Sequence, residues 1–320
     1  MILSLAAFII GFIVDLIVGD PHGFPHPVVF MGKLISALKG ALLRVFPKTA
    51  AGERAAGVCL WFITAAVSTC APLIILIVLM QISPWLRLAA ESFMCWQIIA
   101  VKSLKDESMK VYRAICDDDT KRARHAVSMI VGRDTERLDK AGIIRAAVET
   151  VAENTSDGAV APMFFLAIGG APLGFFYKAV NTMDSMIGYT DPPFKNIGAF
   201  AARADDVFNF IPARISALFM LAAGAILGFD ANGGVKIFKR DRYNHKSPNS
   251  AQTESVCAGL LGIRLGGGAW YHGTFHEKPY IGDDTRDIEN EDIARACRLL
   301  YLTSVITLMV FCTIKIIIII

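Results

Sequence analysis

The sequence predicts an all-α, polytopic membrane protein, and three observations carry that reading. Of the 320 residues, 54% are hydrophobic and only 19% charged, against roughly 45–50% and about 25% in soluble domains. The apolar excess is gathered into runs of about 20 residues, the length a helix needs to cross a bilayer. The charged residues are collected in the segments between those runs.

The spans follow in order. Residues 55–82, 159–177, 211–229 and 299–320 are each long and apolar enough to cross. Residues 2–18 form a shorter fifth candidate, so four to five spans are expected in one integral membrane domain over 1–320. This N-terminal run lacks a basic n-region and is interrupted by Asp15, so it reads as a retained helix rather than a cleaved signal. Pro162, Gly169, Gly170, Pro172 and Gly174 should kink the span at 159–177. Arg214 and Lys315, near the ends of their spans, are placed to snorkel. Residues 84–101 are apolar but carry Arg87 and Glu91 four apart, which predicts a surface-lying or bundle-buried helix rather than a lipid-facing one.

Charge constrains topology and partners. The polar segments 102–158 and 230–298 are rich in Lys and Arg and are separated by two spans, so both are expected on the cytoplasmic side. Residues 178–210 hold only Lys178, Lys195 and Arg203 as cations, with several Asp and Asn, which suits an external loop or a re-entrant, cavity-lining stretch. A net charge of +3, with basic residues mixed among acidic ones, argues against nucleic acid. Seven cysteines, an odd number with no metal-ligand spacing, predict free thiols rather than a disulfide framework or a zinc site.

Five segments look like chemistry. In Arg145–Gly158, residues Arg145, Glu149 and Glu153 are successive i,i+4 neighbours on one predicted helix face. Asn154 and Asp157 follow, and Asp157-Gly158 reads as a turn. Carboxylates entering a span are costly unless they bind something, and hard cations want oxygen ligands. The plainer alternative is a solvated face with an intrahelical salt bridge. Lys178, Asn181 and Asp184 lie three apart directly after a span, where idle polar groups are expensive. Their plainer alternative is an interfacial helix end with Tyr anchors. Arg203, Asp206 and Asn209 repeat every three residues, with Asp205 and Asn209 four apart, forming a second acidic cluster beside Arg214. Adjacent Asp residues at a helix start also simply favour its dipole.

The stretch His245-Lys246-Ser247-Pro248-Asn249-Ser250 is nearly all hydrogen-bonding and suits anion recognition by Lys246 and backbone N–H groups, with an N-cap near Ser250. The following Leu265-Gly-Gly-Gly268 run matches neither a P-loop nor a dinucleotide fingerprint. Finally, Gly19–Val28, with its prolines, makes a rigid turn that offers His22 and His26 to a ligand, though such histidines are more often structural.

Taken in order, His26-Pro27-Val28, Gly132-Arg133-Asp134-Thr135, Arg145–Gly158, Tyr177–Tyr189, Ala202–Arg214 and His245–Glu254 resemble the signature segments of the cobalamin-biosynthesis membrane synthases, the adenosylcobinamide-phosphate (cobinamide) synthase family. The resemblance runs from about residue 10 to about residue 290.

It implies an ATP-dependent ligase that joins (R)-1-amino-2-propanol, or its O-phosphate, to a propionate of adenosylcobyric acid. ATP and Mg²⁺ are implied because amide formation from a carboxylate is uphill and phosphate charge needs neutralising. Residue chemistry then suggests roles. Glu149, Glu153, Asp157, Asp184, Asp205 and Asp206 are candidate metal ligands. Arg145, Lys178 and Lys246 are candidate phosphate or carboxylate clamps, and His245 or a carboxylate a candidate base. Asn154 and Asn181 join the catalytic set; Arg203, Asn209, Arg214, Ser247, Asn249 and Ser250 join the binding set. The expected setting is the inner membrane, with a cytoplasmic active site, a corrinoid substrate and neighbouring membrane-associated assembly enzymes. Two other readings are weighed: a Mg²⁺-dependent prenyltransferase, for which the full Asp-rich spacing is missing, and a transporter, for which inverted repeats are missing.

Overall fold

A computed structural model describes residues 2–21, 23–189, 193–271 and 273–319; His22, one of the two histidines singled out above, lies outside them. The described residues are 75% helical. Four helical stretches, 50–82, 140–187, 199–226 and 291–318, are long and apolar enough to cross a membrane, and Ile2–Val18 is a shorter apolar helix. The polytopic all-α prediction holds. The spans begin earlier than hydropathy alone marks, because the helices continue into the polar segments before them, with Thr49 and Asp139 capping the stretches at 50 and 140.

Contacts gather the chain into two compact units. The first comprises Met1–Ile99, Ala161–Asn209 and Phe311–Ile320. It opens with α1 (Ile2–Val18), α2 (Pro27–Val45), α3 (Ala50–Ile82) and α4 (Pro84–Trp96). Pro27 sits at the first position of α2, where its missing N–H costs nothing, and His26 Nδ1 accepts from Val28 N at 3.2 Å. His26 thus has a structural task as a helix cap. Thr49 caps α3 in the same way, accepting from Gly52 N at 3.1 Å. Glu91 on α4 is 1% exposed, accepts from Ser4 Oγ at 2.6 Å and lies 3.4 Å from Arg87. This is the bundle-buried option of the sequence reading.

The second unit comprises Ala100–Val160 and Phe210–Val310. It contains α5 (Val101–Cys116), α6 (Thr120–Ser128) and α7 (Lys140–Asn154). Asp119 and Asp139 cap α6 and α7, accepting from Arg122 N at 2.9 Å and Gly142 N at 2.7 Å. Where Asp157-Gly158 was expected to turn the chain, a π-helical stretch, Thr155–Val160, carries the helix onward into α8 (Ala161–Ile187). Buried Thr155 and Val160 hold this widened turn in the protein interior, so the local turn preference is overridden.

The expected kink in α8, a helix of the first unit, falls at Gly169 and Gly170. Gly170 has φ +65°, and a side chain there would meet Glu91 Oε1 at 2.5 Å, so both backbone and space require glycine. The segment 178–210 is largely helix rather than loop, shared between α8 and α9 (Ala199–Ile226). In the first unit α3, α8 and the first part of α9 enclose an aromatic core in which Trp61 stacks on Phe208, with ring centres 6.2 Å apart, and Phe176 meets Phe208 edge-on at 4.9 Å.

The remainder of the second unit is α10 (Ala231–Asp241), α11 (Ser250–Leu261), two short antiparallel strand pairs and the start of α12 (Glu291–Ile319). β1 (Leu265–Gly266) pairs with β4 (Tyr280–Ile281), and β2 (Ala269–Tyr271) with β3 (Thr274–His276). A side chain at Gly259 of α11 would meet Gly233 O at 2.4 Å, so α10 and α11 pack backbone to backbone. Every residue of α11 from Ala251 to Leu261 is buried. Two sequence expectations change here. Arg214 sits mid-helix in α9, donating to Phe210 O at 2.7 Å and to Asn249 Oδ1 at 3.1 Å, so it ties α9 to the loop before α11 rather than snorkelling. Lys315 is buried rather than extended towards an interface. All seven cysteines are free.

Candidate active site

Helix α7 delivers two carboxylates to one polar cleft of about 240 Å³ in the second unit. The i,i+4 spacing of Glu149 and Glu153 puts both on the same side of α7. The walls are the Gly132–Arg133 turn, the loop carrying Asn244 and His245, Glu254 of α11, and Gly266, Tyr271 and Lys278 from the strand region. Glu149 is held from two directions: Gly266 N donates to Oε1 at 2.7 Å, and the Arg133 guanidinium pairs with Oε2. Burial works against the charge of Arg133, and the Glu149 carboxylate more than offsets it. Glu153 Oε1 accepts from Ser250 Oγ at 2.8 Å. Lys278 Nζ donates to Tyr271 OH at 2.6 Å.

His245 Nδ1 accepts from Ser247 N at 3.1 Å. Burial lowers the histidine pKa, against the opposing pull of Glu153, so the ring is neutral near pH 7. A nitrogen that accepts carries no proton. Neutral His245 therefore holds its proton on Nε2 and offers a donor there, which leaves the base role to a carboxylate.

Glu254 is 6% exposed. Burial first, then the nearby Glu153 and Glu149, pushes its carboxyl well above the usual range. Lys278 and Arg133, the cations of the cleft, oppose that shift. A folded-state pKa above the unfolded value contributes stability at low pH that is lost as pH rises through the raised value. The melting temperature of the detergent-solubilised protein should therefore fall as pH climbs above the ordinary glutamate range. In Glu254→Gln, which mimics the neutral acid, that slope should flatten. Equal slopes for both proteins would show that Glu254 is not held neutral.

Of the residues picked out from sequence, Glu149, Glu153, Asn154 and His245 line the cleft. Ser250, Ser247 and Asn249 stand behind it: Ser250 on Glu153, Ser247 on His245, and Asn249 on Arg214. Arg145 turns away, its Nε donating to Arg264 O at 3.3 Å, and Lys246 is exposed. Asp157, on the π-helical turn, is not among the cleft-lining residues.

Lys178, Asn181, Asp184, Arg203, Asp205, Asp206 and Asn209 belong to the first unit. There Tyr177 OH donates to Asn209 Oδ1 at 2.8 Å, and Asn209 Nδ2 donates to Asp205 Oδ2 at 2.9 Å. Asp184 and Asp206 are close enough for Asp205 to feel their charge, while Arg203 is exposed. The proposed metal ligands are thus divided between the two units. Among the described residues no three His, Cys, Asp or Glu side chains are grouped to hold a metal ion by themselves.

Sequence reasoning missed Lys278 and Tyr271 altogether and marked Arg133 only as part of a motif. Asp134 accepts from Gly273 N at 2.8 Å, and its own N–H donates to Trp270 O at 2.8 Å, which anchors the β2–β3 hairpin and frees Arg133 for Glu149. The Gly132-Arg133-Asp134-Thr135 motif was a visible signal for Arg133. No periodicity marks Lys278.

The fold and this cleft define a class: a polytopic helical membrane protein with a charged, enzyme-like site built from the polar segments between its spans. Residues 8–300 match the CobD/Cbib protein family. The chain is 44% identical over 314 residues to the cobalamin biosynthesis protein CobD of Clostridium perfringens, covering 97% of this chain and 99% of that one. It is 41% identical over 309 residues to CobD of Yersinia enterocolitica, covering 97% of each. It is 42% identical over 306 residues to the cobalamin biosynthesis protein CbiB of Salmonella typhimurium, covering 96% of each. This chain belongs to the CobD/Cbib family. No solved structure matches it significantly.

Proposed function

We propose that this protein serves cobalamin biosynthesis as an adenosylcobinamide(-phosphate) synthase. In this reading it is an ATP-dependent ligase of the cytoplasmic membrane that joins aminopropanol, or its O-phosphate, to a propionate of adenosylcobyric acid on the cytoplasmic side. The observation that carries the reading is the cleft in which Glu149, Glu153, Arg133, Lys278 and neutral His245 converge. Its size, about 240 Å³, is below the roughly 300–1,000 Å³ of sites that enclose drug-sized ligands. It suits the reacting ends, a carboxylate and an amino alcohol, with the corrin ring left outside.

Each side chain has work suited to that reaction. Arg133 and Lys278 attract the propionate carboxylate and neutralise the leaving phosphate or AMP. Glu153 takes the proton from the attacking ammonium, so that the nitrogen lone pair can reach the activated carbonyl carbon. The C–N bond forms, the C–O bond to phosphate or AMP breaks, and His245 Nε2–H is available to the developing carbonyl oxygen. Glu149, braced by Arg133 and Gly266 N, fixes the geometry of this wall.

Mg²⁺ carried on nucleotide phosphates needs only one or two protein carboxylates, and Glu149 can supply one even though no three-ligand cluster is present among the described residues. When bound, the ion would screen phosphate charge. The test is to incubate purified protein with adenosylcobyric acid, aminopropanol phosphate and Mg-ATP, then to follow amide and ADP or AMP by mass spectrometry. ATP-dependent amide is the expected product. Nucleotide-independent product, or none with either amino alcohol, would refute the assignment.

A further inference from the structure

A second cleft of the same unit, about 750 Å³, shares Arg133 with the first and is lined by further cations that the proposed chemistry leaves unused. Lys121, Arg124, His125 and Ser128 project from α6 at the i, i+3, i+4 and i+7 positions, which form one helix face. Arg122, on another face, pairs with Asp117 at 3.2 Å and is not among the lining residues. Across the cleft stands Arg137, its guanidinium 4.4 Å from the Trp270 ring centre, held by the indole rather than by a carboxylate. Arg124 is fixed by its Nε, which donates to Leu138 O at 2.8 Å. Among the described residues none of Lys121, Arg124 and Arg137 is in an ion pair.

Two acids share the lining, Asp134 and Glu136, against the three cations Lys121, Arg124 and Arg137, with Arg133 committed to Glu149. Cations therefore exceed available carboxylates in a recess, and unpaired like charges held together are unfavourable unless an anion binds. Along α6 the row from Lys121 to Ser128 extends about 10 Å at 1.5 Å per residue. A single phosphate would reach one or two of these groups, whereas a chain of phosphates would engage the row.

Resting on the ligase reading above, we propose that this cleft binds the polyphosphate of a nucleoside triphosphate, with Arg133, which lines both clefts, at the boundary where the reacting phosphate meets the carboxylate. The chemistry of recognition is polyphosphate. Free nucleotide, inorganic polyphosphate and an anionic lipid surface all present phosphates, and the measurement must separate them.

The experiment is equilibrium binding of labelled ATP to the purified full-length protein, with tripolyphosphate and phosphatidylglycerol vesicles as competitors. Lys121→Ala/Arg137→Ala alters two exposed side chains and should leave the fold intact, as a melting curve would verify. The double variant should bind ATP roughly tenfold or more weakly, while Arg122→Ala, on another face of α6, keeps its ATP affinity. Tripolyphosphate should compete and the vesicles should not. Unchanged ATP affinity in the double variant overturns the location while leaving the ligase reading intact. Competition by vesicles alone assigns the cleft to the membrane surface and overturns the nucleotide. Absence of ATP binding in the wild-type protein overturns the ligase reading and this inference together.

Discussion

Glu153→Gln is expected to lose amide formation by about 10²–10⁴-fold, the usual worth of a positioned general base, while the protein remains folded. The substitution keeps shape and volume, and the glutamine carbonyl oxygen can still accept from Ser250 Oγ, which now donates at 2.8 Å. Only basicity is lost. His245 cannot take over, because its Nδ1 is occupied by Ser247 N and its other nitrogen already bears the proton. Mass-spectrometric initial rates on the purified variant, beside a melting curve matching wild type, make the measurement. A variant retaining more than about a tenth of wild-type turnover would move the base elsewhere.

Arg133→Ala should damage both stability and turnover. The two side chains are only 17% and 7% exposed, which places this pair with buried ion pairs rather than surface ones. Removing one partner of a buried pair leaves an uncompensated charge and costs about 3–5 kcal/mol. The lost guanidinium also leaves Glu149 aimed by Gly266 N alone. Turnover should fall by about 10²–10³, as when one electrostatic donor is removed from a catalytic site.

The double variant Arg133→Ala/Glu149→Gln separates the two effects. It should recover most of the stability, because no buried charge is stranded, and little of the turnover. If the single variant melts with wild type, the ion pair contributes nothing and the cleft is assembled by other contacts.

The segments that hold the site were readable from the sequence in proportion to how local their interactions are. Glu149 and Glu153 were found because four-residue spacing is a property of one helix, and the structure places both on α7. Glycines and prolines within 159–177 foretold the break at Gly169 and Gly170 because backbone chemistry is local too. The partners of those carboxylates were not local. Arg133 lies 16 residues before Glu149, and Gly266 lies 117 after it. Ser250 is 97 residues from Glu153.

Arg145 and Lys246 illustrate the converse. Their charge and position suggested clamps, yet Arg145 serves a backbone carbonyl and Lys246 is exposed, while Lys278 supplies the cation from a hairpin region that hydropathy does not distinguish. Asp184 was found beside Lys178 and Asn181, and Asp205 with Asp206 as a second acidic cluster; Asp205 accepts from Asn209, which in turn accepts from Tyr177 OH, and this shows how a buried carboxylate is settled within a helical bundle.

Helix α11, buried from Ala251 to Leu261 and meeting α10 backbone to backbone at Gly259 and Gly233, offers little through which to open locally. Its amide protons should exchange with solvent only through rupture of the whole unit, since small-scale opening requires a lightly packed segment. The reorganisation that a flexible wall would undergo is thereby settled at folding, and Glu254 is presented to the cleft from an unyielding support.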